Sequence, residues 1–157
     1  MLVTLMTDAS HCPDSGAAGF GFWCASDRGK LAGGSAFRDA IKDSYEAEFK
    51  GVANSLKASV NAGLILNGDK VLIQLDCIGV IYCIVGKSEP RDDVVIVLEY
   101  IKNIAKQYEL KLICRHVKGH TKRLEGNRFK ANNHCDVRAK KAMREARKIL
   151  KAEKNGN

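Results

Sequence analysis

Val71-Leu72-Ile73-Gln74-Leu75-Asp76 is the stretch on which the fold turns. A short, nearly continuous apolar run fits a strand covered on both faces, and here an acid closes it. Asn67-Gly68-Asp69 just before it has turn chemistry. Upstream, between Ser44 and Val60, the residues Phe49, Val52, Ala53, Leu56 and Val60 recur at helical spacing, and Gly63 is placed to end that helix. A strand reached through such a helical crossover runs parallel to an earlier strand of the same sheet.

The earlier strands lie in the N-terminal part. Residues 2–7 read as a strand that Asp8 ends, Gly19 to Ala25 as a second after the turn-rich link His11 to Gly16, and Leu31 to about Phe37 as a third. Asp27-Arg28-Gly29-Lys30 supplies the hairpin between the last two, so the three form an antiparallel meander. Downstream, Ser88 to Pro90 starts a helix whose buried stripe is Val94, Val97 or Leu98, Ile101, Ala105 and Tyr108. Lys111 to His116 is the fifth strand, a Gly- and basic-rich loop runs from Val117 to about Asn132, and Asn133 to Lys154 form a basic helix with Val137, Ala142, Ala146 and Leu150 on its apolar side. The expected fold class is α/β: a mixed five-stranded sheet, three antiparallel strands plus two parallel, flanked by helices. One domain is expected over residues 1–152, with a loose tail at 153–157.

At 157 residues such a domain buries a core without disulfide or metal staples. The formal net charge of +8 favours a polyanionic partner, nucleic acid or an anionic membrane surface. The opening run Met1 to Met6 is too short for a signal-peptide core, and no later apolar stretch is long enough to span a bilayer, so a soluble, intracellular, cytoplasmic protein is expected. Cys24, Cys77, Cys83 and Cys114 fall within apolar runs and no Cys-x-x-Cys occurs, which favours free core thiols in a reducing compartment over a zinc site.

Four acids carry the functional signal. Asp8 and Asp76 close strands that should pair in parallel, with chains about 4.8 Å apart, Glu48 lies in the first turns of its helix, and Asp136 is near the start of the last one, where helix dipoles tolerate negative charge. Taken singly, a strand-end Asp or first-turn Glu is an ordinary capping residue. As a set, carboxylates that converge inside a basic protein repel one another unless cations sit between them. Four oxygen donors on two divalent ions about 3.5–4 Å apart are what in-line phosphodiester hydrolysis requires. All-oxygen ligands suit magnesium best and manganese second.

The order of elements and motifs resembles ribonuclease H of type 1 over residues 2 to about 148. The resemblance is carried by Thr7-Asp8-Ala9-Ser10, Gly19-Phe20-Gly21, Ala47-Glu48-Phe49, Leu75-Asp76-Cys77, Val117-Lys118-Gly119-His120 and the run Asn132 to Asp136. It implies that Asp8, Glu48, Asp76 and Asp136 bind two Mg2+ ions and that His120 assists the attacking water or product departure. It also implies substrate contacts from Ser10, His11, Asp14, Ser44, Lys118, Lys122 and Asn132, and an RNA/DNA hybrid as partner of a monomeric enzyme. Lys118, Lys122, Arg123, Arg128 and Lys130, with Arg138, Lys140, Lys141, Arg144, Arg147 and Lys148, are candidate phosphate contacts, set against an ordinary solvated face. Trp23 reads as core rather than as a base-stacking platform, and His116 as the end of a strand with no role of its own.

Departures fall on the substrate side. Where the family often has Thr-Asn-Asn before its helix glutamate, this chain has Asp43-Ser44-Tyr45; two positions after the strand aspartate stands Ile78, which makes no side-chain hydrogen bond. The segment between Asp76 and the fifth strand leaves no room for a protruding basic helix, and the loop from His120 to Asp136 is long for the family. The expected activity is endonucleolytic hydrolysis of the RNA strand of RNA/DNA hybrids. The alternatives are a DNA nuclease or junction resolvase of the same fold, and a non-catalytic nucleic-acid-binding module.

Overall fold

β1 (Leu2–His11) is the axis of the sheet in the computed structural model, which describes residues 1–117 and 126–156, the side chains of 126–129 excepted. On one side it pairs antiparallel with β2 (Ala18–Ser26), and β2 in turn with β3 (Gly29–Ala36). On the other it pairs parallel with β4 (Lys70–Leu75), and β4 with β5 (Lys111–His116), giving the order β3-β2-β1-β4-β5. The expected mixed sheet is present with the expected pairings. The parallel step follows from α1 (Ser44–Asn61), the crossover between β3 and β4.

Alternation along β1 divides the layers. Val3 and Leu5 are fully buried with Phe49, Val52, Leu56, Ile73 and Ile101, so α1 and α3 (Val95–Gln107) cover one face. Met6 points the other way, into a cluster with Ala131 and Cys135 of α4 (Gly126–Asn155). α1 starts at a proper cap, since the Asp43 side chain accepts from the Glu46 backbone N–H at 3.0 Å. It ends at Gly63, whose φ of +78° lies in the left-handed region.

α4 lies directly on bare backbone. A Cβ at Gly21 would stand 2.5 Å from the Cys135 carbonyl oxygen, one at Gly34 would stand 2.6 Å from Arg138 Cγ, and one at Gly19 would collide with Ala142 Cβ. The facing side of the helix is correspondingly small: Ala131, Cys135, Ala139, Ala142 and Ala146 are buried.

Four expectations are corrected. β1 continues past Asp8 to His11, because Asp8 to His11 pair with Gly21 to Ala18; Asp8 is therefore inside the strand. Residues Ile78–Ile84 form a helix, α2, that the sequence reading left unassigned. Its apolar, β-branched run carries no clear period, and burial of Val80, Ile81 and Cys83 selects the helix. α4 begins at Gly126 instead of Asn133 and reaches Asn155, so Asp136 lies ten residues inside it and gains nothing from the helix start. Val137 is 57% exposed, because the buried side is the Ala/Cys stripe.

The close approach at Gly21 makes a direct expectation. Gly21→Ala must push α4 away from β2 and should lower the unfolding free energy by about 1–3 kcal/mol, read as a lower urea midpoint at unchanged m-value; an unchanged midpoint would show that the helix is not seated by this contact.

Candidate active site

The register Met6↔Gln74 between β1 and β4 carries Asp8 and Asp76 to equivalent points two residues further on. β4 stops at Leu75 while β1 continues with β2 as its only partner there, so the sheet opens beside Asp8. At that opening the two faces are no longer separated. Glu48 reaches in from α1 on one side and Asp136 from α4 on the other, and all four acids line one cleft of about 420 Å³.

Backbone and side chains hold the acids at different costs. The Ala9 N–H donates to Asp8 Oδ1 at 3.0 Å and to Glu48 Oε1 at 3.2 Å, tying the strand to the helix. Glu48 is buried, and its Oε2 has no hydrogen-bond partner. Burial first, then the charges of Asp8 and Asp76, hold its carboxyl well above the ordinary carboxylate range, against the smaller opposing effect of the Ala9 N–H. Asp136 is paired with Lys140 one turn on, Oδ2 to Nζ 3.1 Å, and Lys140 lines the cleft as well. Asp76 is half exposed; His116 Nε2 stands 3.4 Å from its Oδ1 and 3.1 Å from its backbone carbonyl oxygen.

Among the described residues no three His, Cys, Asp or Glu side chains are drawn together into a closed ligand cluster. The donor set nonetheless fits a hard divalent cation, because it is all oxygen and includes a buried carboxylate oxygen that no donor among the described residues reaches.

Of the expected substrate contacts, Ser10, His11 and Ser44 line the cleft. His11 and Ser10 belong to β1 rather than to the turn after it, and His11 Nε2 donates to the Ile41 carbonyl at 2.7 Å. Asp14 is exposed in the following turn and Asn132 half-buried on α4, and neither lines the cleft. His120, Lys118 and Lys122 lie outside the described residues, as does Arg123. Cys77 lines the cleft, and His116 contacts Asp76; the sequence reading gave a site role to neither. Their only signal was position, one next to Asp76 in sequence and the other opposite Leu75 in the β4–β5 register.

A clamp fixes the start of α1. Arg91 grips Asp43 through two guanidinium nitrogens, at 2.6 and 3.0 Å, pairs with Asp93, and lies over the Tyr45 ring at 4.6 Å. Tyr45 is thereby turned toward Phe49 and Cys83, with its hydroxyl 3.5 Å from the thiol. The Arg91 guanidinium lowers the Asp43 carboxyl to about 2.

Two outcomes are expected from these charges. Folded protein keeps a proton on Glu48 at pH values where the unfolded chain has released it, so stability without divalent ions should fall as pH rises from the ordinary value of about 4.5. Glu48→Gln should remove that fall and raise Tm at pH 8, while reducing stabilisation by added Mg2+; parallel Tm curves for both proteins would refute it. Asp43 has the opposite sign: its contribution is present above the unfolded value and is lost as pH falls toward about 2. Because the pair is about a third exposed, Arg91→Ala should cost under about 1 kcal/mol at pH 7 by urea titration, and less near pH 2, where the contact with the Tyr45 ring remains.

No protein-family model and no curated protein matches this chain. Solved structures do match. An N-terminal RNase H domain from Mycobacterium tuberculosis, solved as a fusion with maltose-binding protein, aligns at TM-score 0.72 and 19% identity, over 94% of this chain and 96% of that one. RNase H1 from the halophilic archaeon Halobacterium salinarum gives TM-score 0.72 and 18% identity, over 93% and 100%. LC11-RNase H1, isolated from compost by a metagenomic approach and solved in complex with an RNA/DNA hybrid, gives 0.71 and 14%, over 92% and 98%. The mixed sheet, its strand order and its flanking helices are thus those of the ribonuclease H1 fold.

Proposed function

We propose that this chain is a metal-dependent endonuclease that hydrolyses the RNA strand of RNA/DNA hybrids. The observation that carries this reading is the convergence of Asp8, Glu48, Asp76 and Asp136 on one cleft, with a buried Glu48 oxygen left unsatisfied. The fold shared with LC11-RNase H1, which was solved with a hybrid, supports the substrate class.

In this reading the four acids hold two Mg2+ ions, or Mn2+ in their place. Such a pair supplies a Lewis acid for the attacking water and another for the leaving oxygen. Asp8 and Glu48, tied through the Ala9 N–H, form the rigid half of the site. Asp76, half exposed and beside His116, and Asp136, beside Lys140, form the half open to substrate. Asp136 would be one of the residues holding the metal, and Lys140, which lines the same cleft, would meet a substrate phosphate. Ser10, His11 and Ser44 contact the bound strand at the cleft rim, with Asp14 and Asn132 at its periphery. His120, Lys118 and Lys122 precede α4 in sequence, His120 assisting the attacking water or product departure and the lysines contacting substrate. Lys141, Arg144, Arg147 and Lys148, all exposed, give α4 a phosphate-seeking surface without sequence choice, whereas Arg138, a candidate by sequence, is half-buried and donates to the Gly34 carbonyl oxygen at 2.9 Å. A monomer acting in a reducing, cytoplasmic compartment completes the proposal; the six cysteines are all free thiols, and among the described residues no helix is long and apolar enough to cross a membrane.

A second reading, a nuclease of this fold acting on branched or duplex DNA, is favoured by two side chains. The Tyr45 hydroxyl is directed to the Cys83 thiol at 3.5 Å, and Ile78, 45% exposed two residues after Asp76, has no polar side-chain atom, so neither is set to hydrogen-bond a 2′-hydroxyl.

Cleavage of end-labelled RNA/DNA hybrid in Mg2+, beside RNA duplex, DNA duplex and a four-way DNA junction, separates the readings. Loss of RNA-strand cutting by 10³-fold or more in Asp76→Asn is the expected result, on the order of what loss of essential catalytic groups costs. Junction cutting would promote the second reading, and hybrid binding with no cutting would leave a binding module.

A further inference from the structure

The sheet face that carries Asp8 and Asp76 holds a second cavity, of about 230 Å³, one pleat away. Thr4 and Met6 precede Asp8 on the same face of β1, and Gln74 precedes Asp76 on β4. Trp23 faces Met6 across the β1–β2 ladder, and Arg115 faces Gln74 across β4–β5. Ala131 of α4 borders the cavity. Successive residues on one face of a strand are about 6.6 Å apart, so the cavity begins within one nucleotide's reach of the acids.

Its chemistry is unlike that of core packing. Gln74 is 5% exposed, and its side-chain carbonyl oxygen has no hydrogen-bond partner. A buried amide oxygen in this state is an acceptor without a donor. Trp23, expected from the sequence to be core, is only half-buried and lends the cavity its indole. Arg115, exposed at the end of β5, brings a guanidinium. The volume far exceeds one water's share of about 30 Å³ and is below the roughly 300–1,000 Å³ of pockets for drug-sized ligands. A single flat ring system fits that range.

We propose that this cavity is a subsite for one unpaired nucleotide with an amino-bearing base. The base stacks against Trp23, its exocyclic amine donates to Gln74 Oε1, and its phosphate meets Arg115. The occupant is a free nucleotide or an unpaired residue of a strand held in the neighbouring cleft; both present the same groups. The subsite does not depend on hydrolysis, because none of its residues is one of the four acids.

Trp23 is the sole tryptophan of the chain, so its fluorescence reports the cavity directly. The full chain, with EDTA present, is titrated with AMP, CMP, GMP and UMP and with short single-stranded oligoadenylate, with Tm shift as a second readout. Saturable quenching is expected, tighter for AMP, CMP and GMP than for UMP, whose base has no exocyclic amine. It should weaken about fivefold in Gln74→Leu, the worth of one neutral hydrogen bond, and about tenfold or more in Arg115→Ala. Asp76→Asn should bind unchanged, which separates failure of this subsite from failure of the nuclease reading. Equal affinity for AMP and oligoadenylate identifies a free nucleotide, and preference for the oligonucleotide a strand residue. Quenching by no nucleotide, or quenching that Gln74→Leu and Arg115→Ala leave unchanged, overturns the proposal. Arg115 is exposed and Gln74→Leu replaces an amide whose oxygen is unsatisfied by a side chain of similar size, so both variants should fold.

Discussion

Everything at the candidate site depends on how closely α4 can approach the sheet. Gly19, Gly21 and Gly34 offer bare backbone on adjacent strands, and the small residues Cys135, Ala139 and Ala142 of the helix fit against it. Asp136 follows Cys135 directly, so the contact that seats the helix also sets the depth at which this carboxylate enters the cleft. A side chain on β2 would displace the helix by a sizeable part of a bond length or more, and displacements of that order are costly where reacting groups must be aligned. The packing and the acid geometry are therefore one constraint.

The site itself is electrostatically costly to the fold. Glu48 is buried next to Asp8, and the described residues offer it only the shared Ala9 N–H and the neighbouring Asp8 carboxyl, with no donor on Oε2. Elsewhere the chain treats acids differently. Asp69, equally buried, receives a forked Arg28 guanidinium at 2.5 and 3.0 Å and the Leu66 N–H, which together hold its carboxyl far below the ordinary range. Asp43 has Arg91. The contrast between fully satisfied structural acids and an unsatisfied one in a cleft is the pattern expected where an external cation completes the charge balance.

The sheet was largely legible because its signals are local. The apolar run Val71 to Leu75 and the helical spacing of Phe49, Val52, Leu56 and Val60 each reported burial that the structure repeats. Convergence of the four acids followed from the strand order. Less legible was whatever depends on backbone or on small side chains. An acid at the end of an apolar run looks like a strand terminus, yet Asp8 is carried on by ladder bonds to glycines. The buried side of α4 is written in Ala and Cys, and attention to large apolar residues selected the exposed Val137 instead. His116 contacts Asp76 only through cross-strand register, and Cys77 enters the cleft only because β4 ends there.

The central position of β1 has a consequence for the order in which the molecule assembles. The middle strand of the sheet is made before the other four, and β2 and β3 follow at once, so the meander forms from local contacts. Its other edge must wait for β4, after the whole of α1 has been made, and the last acid arrives some sixty residues later, at Asp136. Pairing across such separations is slow, because loop-closure entropy is spent before the contacts return it. During that interval the nascent chain presents an apolar, unpaired strand edge. Chaperone dependence and aggregation on overexpression should therefore track the delay between β1 and β4, and the acid-lined cleft is among the last features of the molecule to exist.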